Sequence, residues 1–160
     1  MRPETKLAVL QHLYELGACD MSIRWIDECK TVEEIYACKN SGWWRWLVMH
    51  DENAVEYCPW DYMDGYDMWC ILEAKPHLKA YCDLSKIGPG YWASLIRDDP
   101  RWLEDCTCLE KISDIDILWI LRRWPDLHRN LPTKKLSPQQ IEGLLYHHPQ
   151  LAEHLQGKAK

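Results

Sequence analysis

The sequence predicts an all-α fold built of short helix pairs, each about 24 residues long, in a small capped array. Three observations predict it. First, four segments set apolar residues in the same order. Met68, Trp92, Ile117 and Ile141 fill one column, and Ile71, Leu95, Ile120 and Leu144 follow three residues later. Leu72, Ile96, Leu121 and Leu145 come next. Residues at i, i+3 and i+4 lie on one face of a helix. Second, a proline follows each triad at a constant distance (Pro76, Pro100, Pro125, Pro149), with Leu78, Trp102, Leu127 and Leu151 two residues beyond. The copies are offset by 24, 25 and 24 residues, which marks a repeat architecture. Third, Asp64, Gly88, Ser113 and Ser137 stand four residues before each triad, and all four are residue types that begin helices.

In chain order, residues 1–39 read as an N-terminal helical cap of three short helices. The first carries Leu7, Leu10 and Tyr14 on one face and ends at Gly17. The second spans roughly Met21 to Cys29, and the third opens at Thr31, with Glu34 completing a capping box. Residues 40–62 form a degenerate copy: Asn40 caps, Trp44, Leu47 and Val48 supply the triad, and Glu52 takes the proline slot. Copies follow at 63–86, 87–111 and 112–135, and a terminal copy at 136–155. Pro89 and Pro138 fall at the first helical position, where a missing N–H costs nothing, and Gln140 completes a capping box with Ser137. The aligned proline pushes its predecessor out of helical geometry and opens a second short helix. It is therefore the corner between two helices, and the triad is the seam along which neighbouring pairs bury each other. Residues 156–160 read as a frayed tail.

Composition narrows the function classes. A net charge of −6 argues against general nucleic-acid or anionic-membrane binding. No apolar run reaches the length of a membrane span. The start, amphipathic and carrying acids, does not read as a signal peptide, so a cytoplasmic setting is expected. The eight cysteines then read as free thiols, several of them small buried apolar residues. Cys58 and Cys82 share a column, with Cys106 one period on and Thr107 in the slot if the longer step falls there. Ten tryptophans without a phenylalanine imply that part of the excess shows at the surface.

The repeat, carried by "YWASLIRDDPRWLEDC" and "CDLSKIGPGYW", resembles tandem repeats in uncharacterised proteins of gut bacteria and their phages. The stretch "GACDMSIRWIDECKTVEEIYACKNSGWWRWL" resembles a segment of uncharacterised phage-associated proteins, through its Ala-Cys, Thr-x-x-Glu and Trp-x-x-Trp-Leu features. Together they cover most of the chain and imply a mobile-element context without an activity. The end of the array departs from the pattern, with Leu131, in the copy at 112–135, where a cysteine is expected and Ile141, in the terminal copy, in place of tryptophan.

No motif marks a catalytic, metal or cofactor site. Cys106 and Cys108 form a lone C-x-C pair without the second ligand pair of a structural zinc site. No nucleophile elbow, P-loop or H-E-x-x-H occurs, so a non-enzyme is expected. Charge is more informative. Between Asp51 and Glu73 the chain carries seven acids and neither Lys nor Arg. Glu56, Trp60, Asp61, Tyr62, Asp64, Tyr66, Asp67 and Trp69 there form a candidate partner-binding face, aromatic anchors among steering acids. The bland alternative is a solvated face, with Asp64 and Asp67 placed where a helix start favours acids. Trp124 joins the candidate face because its column otherwise holds Lys75, Asp99 and His148; packing against the N-terminal helices is the other reading. The expected function is a protein-interaction module, an inhibitor of a host protein in the phage setting. A CRISPR-type defence nuclease is one candidate target, and the partner would be basic or nucleic-acid-binding. Two alternatives stand beside it. One is nucleic-acid binding through Arg122, Arg123, Arg129, Lys134 and Lys135; the other is a small cysteine-dependent enzyme.

Overall fold

A computed structural model describes residues 3–155, so the expected fraying at 156–160 lies outside the described residues. The fold is all-α, and no β-strand occurs among those residues. The α-helices are α1 (Lys6–Glu15), α2 (Asp20–Glu28), α3 (Val32–Tyr36), α4 (Ser41–His50), α5 (Gly65–Ala74), α6 (Pro89–Asp98), α7 (Asp114–Arg123), α8 (Pro138–His147) and α9 (Ala152–Leu155). The chain divides into two compact units between Asp83 and Leu84.

In the first unit α1 packs on α2 and α4 on α5. Gly17 ends the first turnaround with φ +75°, a conformation that only glycine adopts without cost. The buried face of α1 differs from the sequence reading. Val9 and Leu13 are buried, while Leu7 and Tyr14 are exposed. Val9, Leu13 and Leu16 are spaced as helically as Leu7, Leu10 and Tyr14, so periodicity alone could not choose between them. The deciding contact is polar: His12, on the Val9–Leu13 side, meets the buried Asp51 carboxylate at 2.9 Å. Thr31 caps α3, but Glu34 reaches the N–H of Lys30 rather than that of Thr31, so the expected box is shifted by one residue. Tryptophan fills the space behind α4. Trp43 and Trp44 meet edge to face at 4.7 Å, and Trp25 and Tyr57 extend the cluster. Trp44 is fully buried and satisfies its indole N–H on the Cys38 carbonyl at 2.7 Å. Truncating such a residue to alanine costs about 3–5 kcal/mol.

The repeat has the expected caps. Asn40, Asp64, Gly88, Ser113 and Ser137 are the N-caps of α4 to α8. Ser137 and Gln140 form the expected capping box, and Asp64 and Asp67 form another. The triads are buried along their length, except that Leu145 is half-exposed. After the first three proline corners the second helix is 3-10 rather than α, at Pro76–Tyr81, Pro100–Asp105 and Pro125–Arg129, and after the last it starts as 3-10 at Pro149–Leu151 and continues as α9. The runs are short enough for i→i+3 bonding, which rarely persists beyond a turn or two. The copy at 40–62 keeps the same shape without proline. Asp51 caps Glu52–Glu56 by accepting from the Asn53 N–H, as Asp99 accepts from that of Arg101. A further 3-10 turn closes the first four copies and leads into the buried Met63, Ile87, Ile112 and Leu136. Cys82 and Cys106 end equivalent 3-10 helices, so the additional residue of the longer step lies after Cys106 and before Leu109.

In the second unit α6 packs on α7 and α7 on α8. Here the residue before the corner proline ties two of the copies to the one before, whereas Asp99, before Pro100, caps its own 3-10 helix. Trp124 donates its indole N–H to the Arg97 carbonyl at 2.8 Å, and His148 Nε2 meets the Arg122 carbonyl at 3.1 Å. In the first unit Lys75 donates to the Val48 carbonyl at 3.1 Å. These carbonyls belong to the last turn of an α-helix, where no intrahelical donor is left.

Candidate functional site

The acidic aromatic stretch lies in the first unit, and the structure divides it. Glu56, Asp61, Tyr62, Asp64 and Tyr66 are exposed, Trp60 and Trp69 are half-buried, and Asp67 is buried at 2 % exposure. Asp67 is therefore not a surface acid. It accepts from Arg45 Nη1 at 2.5 Å and from the Asp64 backbone N–H, so it holds α4 to the start of α5. Asp64 accepts from the backbone N–H groups of Tyr66 and Asp67, both at 2.9 Å, which leaves its carboxylate on the surface as a cap.

Trp60 is fixed by two contacts: its indole N–H donates to the Val55 carbonyl at 3.1 Å, and its ring stacks on Tyr81 with centroids 5.6 Å apart. Tyr81 is 47 % exposed and extends the aromatic surface beyond the stretch the sequence singled out. Two cations from outside that stretch fold onto it. Lys39 Nζ lies 5.1 Å from the Tyr62 ring centre, and the Arg45 guanidinium lies 4.9 Å from that of Tyr66. A run free of Lys and Arg in sequence is thus not free of them in space. Nothing local predicts Lys39 or Arg45; Tyr81 lay just beyond the acidic run.

Trp124 belongs to the second unit and is half-buried, with its N–H spent on Arg97, so it is not the exposed anchor the sequence expected. Its column is polar because Lys75, Trp124 and His148 reach a helix-end carbonyl there, while Asp99 caps the 3-10 helix that follows it. The basic segment is largely committed as well. Lys135 donates to the carbonyls of Glu110 and Ile112, the latter at 2.9 Å, and Lys134 lies 3.9 Å from the Glu110 carboxylate. Arg122 lies over the Trp119 ring at 5.0 Å and Arg123 over Trp124 at 5.6 Å, while Arg129 is exposed. Among the described residues Trp119, 50 % exposed, is the exposed tryptophan. Its column of Cys70, Ser94 and Gly143 could have marked it.

All eight cysteines are free thiols. Burial pushes Cys58 up to about 12 and Cys82 and Cys106 up to about 11, which suits packing and not nucleophilic attack. Cys19 is the exception: exposed at the start of α2, it is held below the usual thiol value by hydrogen bonding to Ser22. With Cys38, Trp25, Trp43 and Trp46 it lines an open cleft of about 860 Å³ between α2 and α4, and no histidine lines that cleft among the described residues. Among the same residues, no three His, Cys, Asp or Glu side chains gather as a metal site needs, and no helix is long and apolar enough to cross a membrane. Set against protein-family models, curated proteins and solved structures, the chain matches none.

Proposed function

We propose that this chain is a non-enzymatic protein-interaction module. Its binding face is the exposed part of the acidic aromatic surface: Glu56, Trp60, Asp61, Tyr62, Asp64 and Tyr66, with Tyr81 at its edge. The observation that carries the reading is the exposure of three tyrosines, Tyr62, Tyr66 and Tyr81 at 43–48 %, with the acids Glu56, Asp61 and Asp64 exposed in the same stretch. Tyrosine rings offer large contact area at little cost in side-chain freedom, and acids nearby raise the encounter rate with a basic surface. Two of these rings carry lysine and arginine side chains of the same chain, which supports a cationic partner segment. In the phage setting that the sequence resemblance implies, such a module acts by occupying a basic groove of a host protein, a nucleic-acid-binding groove of a CRISPR-type nuclease being one candidate.

The test is capture from a bacterial lysate by the wild type and by a Glu56→Lys, Asp61→Lys, Tyr62→Ala variant with the same helical circular dichroism. A partner retained in stoichiometric amount by the wild type and lost by the variant is the expected result. Equal recovery by both would remove the face from the proposal.

A further inference from the structure

We infer that the chain pairs with a second copy of itself through the outer face of α7. Ile115 and Trp119 are one turn apart on that helix and are 58 % and 50 % exposed. They form an exposed apolar ridge, with the Arg122 guanidinium resting over the Trp119 ring at 5.0 Å. The helices on either side of α7 are low at three of the four matching positions, Gly90 and Ser94 on α6 and Gly143 on α8, and the fourth, Gln139, is exposed. An added Cβ at Gly143 would meet no atom within 4 Å, so the packing of this chain does not require glycine there. A glycine inside a helix costs about 1 kcal/mol relative to alanine. A floor beside a ridge accounts for it, because a ridge from outside can approach the bare backbone.

The occupant follows from charge and shape. α7 begins with Asp114 and Asp116 and ends with Arg122 and Arg123. Two copies laid antiparallel along this face put the acids of each helix against the arginines of the other. A two-fold contact of this kind needs a patch that complements itself, and this face holds both ridge and floor. The helix dipole favours acids at a helix start and cations at its end. It does not explain why α7 bears both while α5, α6 and α8 do not, nor why α7 alone combines them with an exposed indole.

Sedimentation equilibrium of the full chain, from about 1 to about 500 µM at low salt, tests this. The expected result is a reversible rise toward twice the monomer mass that weakens in high salt. Trp119→Ser is expected to weaken association about tenfold with unchanged melting, since its side chain is on the surface. Gly143→Ala is expected to raise the melting temperature and yet weaken association, two opposite shifts that a purely structural glycine would not give. A mass that stays monomeric across the range would overturn the inference. So would a dimer whose association constant neither variant lowers.

Discussion

Glu56 and Asp67 are acids of one short stretch, and substitution is expected to treat them differently. Asp67 is buried against Arg45, and breaking a buried pair from one side leaves an uncompensated charge. Asp67→Ala is expected to lower unfolding free energy by about 3 kcal/mol, and Glu56→Lys to change it by less than about 0.5 kcal/mol, both read from urea titration. Asp51 adds a pH dependence. Burial pushes its carboxyl up, but hydrogen bonds from His12 and Asn53 outweigh that and hold it below its usual 3.8. A carboxylate depressed in the folded state contributes stability above its unfolded value and loses it as pH falls through the folded one. Stability is therefore expected to decline as pH drops below about 4, and Asp51→Asn to flatten that decline in urea titrations across the acid range. Among the thiols, limiting iodoacetamide followed by peptide mapping is expected to label Cys19 first, with Cys58 and Cys82 protected until the chain unfolds. Early labelling of Cys58 would contradict its burial.

At the scale of elements, the column before each proline is where sequence and structure part in an instructive way. Polar residues there suggest solvent, yet Lys75, Trp124 and His148 each reach back to a carbonyl at a helix end. Trp124→Phe keeps the ring and loses the bond, and is expected to cost about 1 kcal/mol, whereas Trp124→Ala loses the packing too and is expected to cost about 3 kcal/mol or more. If both variants melt with the wild type, the tie between copies has no energetic weight. Caps, corners and triads were legible because each depends on a residue type at a fixed local spacing: Ser137 with Gln140, or Ile117 with Ile120 and Leu121. What was not legible depends on partners distant in sequence. Nothing near Asp67 announces Arg45, and nothing in α1 says that His12 will meet Asp51.

For the whole molecule, the candidate site was legible in outline only. The acidic run and its aromatic residues pointed to one surface, and seven of the nine chosen residues lie on or at the edge of it, with Trp69 half-buried against Tyr66 at 5.6 Å. The other two, Asp67 and Trp124, were chosen by charge or column, and neither quantity reports burial. The net charge of −6 is spread unevenly, with the exposed acids of residues 52–73 in the first unit and the arginines of α7 in the second. Association steered by those acids is expected to slow as salt rises, because exposed charges are screened beyond about 10 Å at 0.1 M. Stopped-flow rates with the captured partner at two salt concentrations would show it.

The most direct test of the central claim is photocrosslinking with a benzophenone side chain placed at Tyr62, beside the same probe at Arg129 in the exposed basic segment. Tyr62 is expected to join one protein in high yield within bacterial cells, and Arg129 to join none. Crosslinking at Arg129 to nucleic acid or protein, with none at Tyr62, would contradict it.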